Sequence, residues 1–167
     1  QDHVLNLIDT PGHVDFQYEV SRSLQSVEGA ILLVDATQGI QAQTLSNLYL
    51  AVDQRLETIP VINKIDLPAA NVAGTKEDVS KLLGVPADQI LAVSAKTGEG
   101  VEALLNSVIN KVPLAKHQDK NPFRALIFDS IYDDYRGVVV YVRVVDGMVP
   151  KGASITFLGS GQSDRVI

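Results

Sequence analysis

Four short apolar runs, "HVLNLID" (3–9), "GAILLVDA" (29–36), "TIPVIN" (58–63) and "QILAVSA" (89–95), each stop abruptly at polar residues. Helix-length segments near 17–27, 41–56, 75–84 and 100–112 separate or follow them. Near-continuous apolar strands alternating with helices specify an α/β unit: a parallel sheet buried on both faces. Ligands of such sheets sit at the carboxyl ends of the strands. The polar terminators are therefore the residues to inspect: Asp9-Thr10-Pro11-Gly12-His13, Asp35-Ala36, Asn63-Lys64-Ile65-Asp66 and Ser94-Ala95-Lys96.

The alternation ends near residue 112. "KVPLAKHQDKNP" mixes Pro, charge and amides without periodicity and reads as a linker over 113–122. Beyond it "FRALIFDS" (123–130), "GVVVYVRVVDG" (137–147) and "ASITFLG" (153–159) are β-rich and punctuated by turn residues, which predicts antiparallel strands beginning a small barrel. "GSGQSD" reads as loop, "DDY" (133–135) as a solvated turn rather than a metal site, and "QAQTLSNLYLAV" as a packed helix. His3 and His117 belong to no constellation.

Charge and composition narrow the function classes. Residues 1–112 hold 14 acidic against 7 basic side chains, residues 113–167 hold 6 against 7, and the total is −6. An acidic first segment is not a bulk nucleic-acid binder, because phosphate contacts need a basic surface. Any RNA partner must be met by a few placed residues. There is no cysteine, so disulfides and thiolate metal sites are excluded. Runs such as "AILLVDA" fall far short of the roughly 20 residues of a membrane span. Cytoplasm is the expected compartment, and peripheral membrane association has no support in the sequence.

The strand ends suggest a base and its phosphates. Guanine presents N1–H and N2–H₂ side by side, and one carboxylate accepts both; adenine lacks the second donor. Asp66 fits that role, with charge-assisted bonds worth roughly 1.5–3 kcal/mol each. Asn63 either bridges the N7/O6 edge or braces the neighbouring loops, and the stem of Lys64 covers a flat face of the base. Ile65 completes the motif, while Ser94-Ala95-Lys96 supplies a backbone N–H for O6 and a second lysine stem. In "DTPGH", Asp9 can hold Mg²⁺ through water, Pro11 stiffens the turn, and Gly12 lets its N–H approach a γ-phosphate. His13 stands where it could orient an attacking water.

"DTPGH", "NKID" and "SAK", in this order and spacing, resemble sequence elements of the translational GTPases. "DTPGHVDFQYEVSRSLQSVEGAILLVDATQGIQAQTLSNLYLA", "VINKIDLPAA" and "FDSIYDDYRGVVVYVRVVDG" are similar to the elongation factor 4 (LepA) family. That resemblance implies a ribosome-dependent GTPase that hydrolyses GTP to GDP with Mg²⁺, a P-loop-NTPase-like G domain over 1–112, and a β-barrel second domain from 123. It implies a monomer of the bacterial cytoplasm, with an organellar homologue as the other source. Asp9, Thr10, Pro11, Gly12 and His13 would face the γ-phosphate, with His13 catalytic, and Asn63, Lys64, Ile65, Asp66, Ser94, Ala95 and Lys96 would hold the base. Arg136, Gly137 and Arg143 would lie in the barrel region facing ribosomal RNA; a solvated barrel face explains the same arginines.

The chain also departs from the family. No G-x-x-x-x-G-K-[ST] occurs, so the cradle for the α- and β-phosphates is absent, as is the switch I threonine. The simplest expectation is a piece of a longer protein that lacks the central first strand of the sheet, which in the family lies between the strand ending at Asp9 and the strand over 30–34. Alone it is then expected neither to hydrolyse GTP nor to bind it tightly. Two alternatives stay open: a factor resembling elongation factor G, and a non-catalytic guanine-nucleotide or ribosome-binding module.

Overall fold

The computed structural model describes residues 3–116 and 120–167; His117 and part of the expected linker lie outside the described residues. The chain divides into two compact units, one reaching Leu114 and one starting at Ala115. In the first, β1 (Gly29–Asp35), β2 (Glu57–Asn63) and β3 (Leu91–Ala92) form a parallel sheet in the order β1-β2-β3. Four helices accompany it: α1 (Gln17–Leu24), α2 (Ala42–Asp53), α3 (Val72–Leu83) and α4 (Val101–Lys111).

The central strand explains the cohesion of this unit. Val61 and Ile62 of β2 point to opposite faces, as successive strand residues must, and both are fully buried. On one face Ile62 packs with Val34, Ala36, Ile90 and Val79 of α3. On the other, Ile59, Val61 and Val93 pack beneath Leu104, Val108 and Val112 at the α4 side. β1 and β2 run in register from Gly29↔Glu57 to Asp35↔Asn63, so Asp35 and Asn63 end side by side.

Local chemistry sets the helix boundaries. The third helix begins at Val72, ahead of the expected 75, because Asn71 caps it by accepting from the Gly74 amide at 3.1 Å. It stops at Gly84, whose φ of +67° suits a left-handed terminator. α2 opens with a reciprocal box between Gln41 and Thr44. α4 starts after Gly100, where φ is +74° and a Cβ would lie 2.3 Å from the Ala92 carbonyl oxygen. The first helix is shorter than expected, preceded by a 3₁₀ turn (Val14–Phe16) and ending at Leu24.

Residues 3–9, expected as a buried strand, form none. Residues 3–12 carry no helix, strand or turn, and Val4 and Leu7 are 86% and 84% exposed. A strand exists only as part of a ladder, and among the described residues no strand pairs with this segment. β1 correspondingly sits at the edge of its sheet, with Leu33 53% exposed although its register partner Val61 is buried. The run over 89–95 also shrinks to Leu91–Ala92, since Ala87–Gln89 form a 3₁₀ turn and the chain leaves the sheet at Ser94.

In the second unit β4 (Arg124–Asp133) and β5 (Gly137–Asp146) form a long antiparallel hairpin with two register irregularities. Its tip is an Asp turn: Asp133 Oδ1 accepts from the amides of Tyr135 (2.9 Å) and Arg136 (2.8 Å). "DDY" is therefore turn chemistry. Its base is clasped by buried Asp146, which accepts from the Arg124 guanidinium and, at 3.3 Å, from Asn121. β6 (Ser154–Thr156) is shorter than the expected 153–159 run and pairs with β7 (Ser163–Arg165). "GSGQSD", read as loop throughout, thus ends in a strand, because the turn before it returns the chain antiparallel to β6. The architecture is an α/β unit with a parallel sheet followed by a unit of two antiparallel two-stranded sheets.

Candidate functional site at the carboxyl ends of the parallel strands

The expected base-binding residues converge. An open pocket of about 260 Å³ is lined by Asn63, Lys64, Asp66, Leu67, Ala95 and Lys96. β2 delivers Asn63 and the turn after it; the end of β3 delivers Ala95 and Lys96. Ile65 does not line the pocket but packs against the core beneath, beside Val34 and Ile62. Ser94 is fully buried under the site.

Side chains cross-brace these loops. Ser94 Oγ donates to Asp66 Oδ1 at 2.7 Å and accepts from the Thr97 amide at 3.1 Å. The bond orients the carboxylate, and because each carboxylate oxygen accepts two bonds, both remain available to a ligand. Asn63 Oδ1 accepts from the Ala95 amide at 3.1 Å, a bond that braces the two loops. The Ser94 amide donates to Glu99 O at 2.9 Å. Of the amides in Ser94-Ala95-Lys96, that leaves the one of Lys96 to meet a ligand acceptor.

Lys64 brings in a strand end, Asp35, that the sequence marks for inspection but to which it assigns no role. Its Nζ pairs with Asp35 Oδ2 at 2.6 Å, across from β2 to the end of β1. Asp35 Oδ1 in turn accepts from the Thr37 amide (2.8 Å) and hydroxyl (2.6 Å). The Lys64 ammonium, then the Thr37 donors, hold the Asp35 carboxyl down at about 2. The available signal was an acid closing one apolar run in the same place as Asn63 closes the next.

The "DTPGH" residues are placed differently. Asp9, Pro11, Gly12 and His13 are exposed, Thr10 is half-buried, and none lines the pocket. His13 Nδ1 faces Asp15 Oδ2 at 3.3 Å, which leaves Nε2 as the ring nitrogen to meet a water. Magnesium takes one or two carboxylates together with phosphate oxygens and water. Among the described residues no cluster of three or more His, Cys, Asp or Glu side chains gathers.

The three residues expected at RNA are not gathered either. Arg136 is exposed at the hairpin tip and Gly137 opens β5 there with φ of +75°, whereas Arg143 lies about 20 Å along the ribbon. Among the described residues no helix is long and apolar enough to cross a membrane.

The chain is 58% identical over 160 residues to elongation factor 4 of Chlorobium phaeobacteroides (strain BS1), covering 96% of this chain and 26% of that protein. It is 56% identical over 167 residues to elongation factor 4 of Dehalococcoides mccartyi (strain CBDB1), covering 100% of this chain and 28% of that one. It spans about a quarter of the length of these relatives. Among solved structures, a bacterial selenocysteine-specific elongation factor superposes with a TM-score of 0.76 at 26% identity, over 94% of this chain and 28% of that one. Elongation factor SelB from Methanococcus maripaludis, in complex with a GTP analogue, gives 0.76 at 25% identity over 93% of this chain and 36% of that one. The family described as elongation factor Tu GTP binding domain matches residues 1–114, and the chain belongs to that family.

Proposed function

We propose that these residues are the base-reading and γ-phosphate-facing part of a ribosome-dependent GTPase of the elongation factor 4 kind. The observation that carries this reading is the Asp66 carboxylate, oriented by Ser94 at the mouth of a pocket whose other walls are Asn63, Lys64, Ala95 and Lys96. Asp66 accepts guanine N1–H and N2–H₂ together. The Lys96 amide meets O6, and the Lys64 and Lys96 stems cover the two faces of the ring. Gly12, without a Cβ and with open space around it, admits a γ-phosphate oxygen to its backbone N–H. His13 orients the attacking water through Nε2.

Asp9 would be the acid on the Mg²⁺ side, acting through a water, and the ion would supply charge neutralisation at the phosphates. The α- and β-phosphates need a cradle this sequence does not contain, so the 167 residues alone neither hydrolyse GTP nor bind it tightly. Ribosomes are the activating partner, and activation raises such rates by roughly 10³–10⁵.

Titration of the full-length protein with GDP, IDP and ADP tests the base assignment. IDP lacks the N2 amine and binds at least about tenfold more weakly, the loss of one charge-assisted bond. ADP does not compete at all. Equal affinity for GDP and IDP removes Asp66 from its role. For the hydrolytic half, His13→Ala loses ribosome-stimulated turnover and keeps GTP affinity; unchanged turnover refutes the role of His13. Sub-micromolar GDP binding by the 167 residues overturns their predicted weakness.

A further inference from the structure

Lys64 is one of two residues other than glycine, with Arg55, that adopt a positive φ among those described, at +65°. A lysine in the left-handed region is held there by its surroundings, since the conformation costs free energy on its own. The backbone contributes two bonds around it: the Leu67 amide donates to Lys64 O at 3.2 Å and the Ile65 amide to Val93 O at 3.4 Å. A further restraint is the ion pair to Asp35, a residue outside the pocket lining, which fixes the end of the four-carbon stem while Lys64 itself lines the pocket. Asp35 is itself immobilised, with Thr37 on one carboxylate oxygen and Lys64 on the other.

We propose that Asp35 is a positioning residue for ligand recognition: it anchors the Lys64 ammonium at the end of β1 so that the aliphatic stem presents a fixed apolar face to the base. The inference rests on the guanine reading of the pocket and adds a residue that touches no ligand. Its logic is geometric. A free lysine stem samples many rotamers, and ordering it on binding costs affinity. A stem already tethered at both ends, by a strained backbone and by Asp35, pays that cost during folding instead.

The consequence separates two kinds of contact. Asp66 reads the edge of the base, so its effect depends on the N2 amine. Asp35 acts on stacking, so its effect is the same for every purine that enters the pocket. Asp35→Asn keeps the size of the side chain and an oxygen for Thr37, and removes the charge that holds Lys64.

Four full-length proteins test this by titration with GDP and IDP: unsubstituted, Asp35→Asn, Lys64→Met, and both together. Lys64→Met keeps an unbranched apolar stem without the ammonium. Asp35→Asn is expected to weaken GDP about fivefold and IDP by the same factor, leaving the GDP/IDP ratio unchanged. In the Lys64→Met background the same change is expected to weaken GDP less than about twofold, because the partner is gone. A full effect in that background, an unchanged affinity in the unsubstituted one, or a shifted GDP/IDP ratio overturns the assignment. If Asp35→Asn does not fold, Thr37→Val loosens the same carboxylate: a weakening of about threefold that vanishes with Lys64→Met supports the linkage, and an equal weakening in both backgrounds overturns it. An unsubstituted protein that binds GDP no better than ADP sinks the guanine reading itself, whereas a guanine preference with additive substitutions sinks Asp35 alone.

Discussion

Asn63, Asp66 and Ser94, and on the other hand Asp9, Gly12 and His13, are polar residues that follow an apolar run of similar length. The first group follows strands that have neighbours, and its side chains brace one another through Ser94–Asp66 and Asn63–Ala95. The second follows a segment with no ladder to join, and those residues stand largely exposed. The contrast is one of context rather than of composition: Val4, Leu5 and Leu7 are as apolar as Ile59, Val61 and Ile62. A local motif is precise in chemistry only where a strand on each side, or a helix above, fixes where it points.

Amide hydrogen exchange gives the widest contrast between the two regions. The amides of Val61 and Ile62, fully buried on the strand between β1 and β3, should open only with the whole unit, giving protection of roughly 10³ or more for a domain of ordinary stability. Amides over 4–10, outside any ladder, should exchange within about tenfold of the free-chain rate. Comparable protection in both would break the comparison. Mutational energies repeat it at the next scale down. Ile62→Ala removes a fully buried side chain between β1, β3 and α3 and should cost about 2–5 kcal/mol in urea unfolding. Leu7→Ala, at 84% exposure, should stay within about 0.5 kcal/mol.

How much of this the sequence disclosed follows the same division. The strands β1 and β2 were legible because each is a short, near-continuous apolar run, although only β2 is buried on both faces, and so was the gathering of Asn63, Asp66 and Lys96, because strand ends in a parallel sheet share one side. "HVLNLID" misled because periodicity reports what a segment would bury, not whether a partner strand is present to bury it. The pairing of Lys64 with Asp35 was hidden for a related reason: it depends on the register Asp35↔Asn63, a property of two strands that neither carries alone. The strand β7 was concealed by its polar composition, Ser-Asp-Arg, which both faces leave exposed.

Two substitutions sharpen the picture on the braced side. Gly100→Ala forces a Cβ to within 2.3 Å of the Ala92 carbonyl oxygen at a φ of +74°, so either β3 or the start of α4 must shift. The expected cost is about 2–3 kcal/mol, read as a lower urea midpoint. Ser94→Ala deletes a buried hydroxyl that serves Asp66 and the Thr97 amide, and should cost about 1–2 kcal/mol. It should also weaken guanine nucleotide in the full-length protein, since the carboxylate loses its orienting donor. Stability lost with no change in affinity would mean that Ser94 supports the loop and not the reading of the base.

The smallest expected effect concerns pH and tests whether the brace extends to β1. Asp35 is held at about 2 against an ordinary 3.8, so the folded state favours its charged form. A carboxyl depressed in this way stabilises the fold fully above its unfolded value and loses that contribution as pH falls through the folded one. The window is therefore about pH 4 down to about pH 2, below which the contribution is gone. Lys64 is about half exposed, with 51% of its side chain accessible, so solvent screening limits the stabilisation to about 1 kcal/mol. Unfolding of the 167-residue chain and of its Asp35→Asn variant should differ by that amount at pH 5–7 in low salt, and converge toward pH 2. Added salt should narrow the gap at neutral pH, because the pair is partly exposed. A difference that persists unchanged to pH 2 would mean that the carboxylate charge is not what joins β1 to the base-reading loop, and the brace would then end at β2.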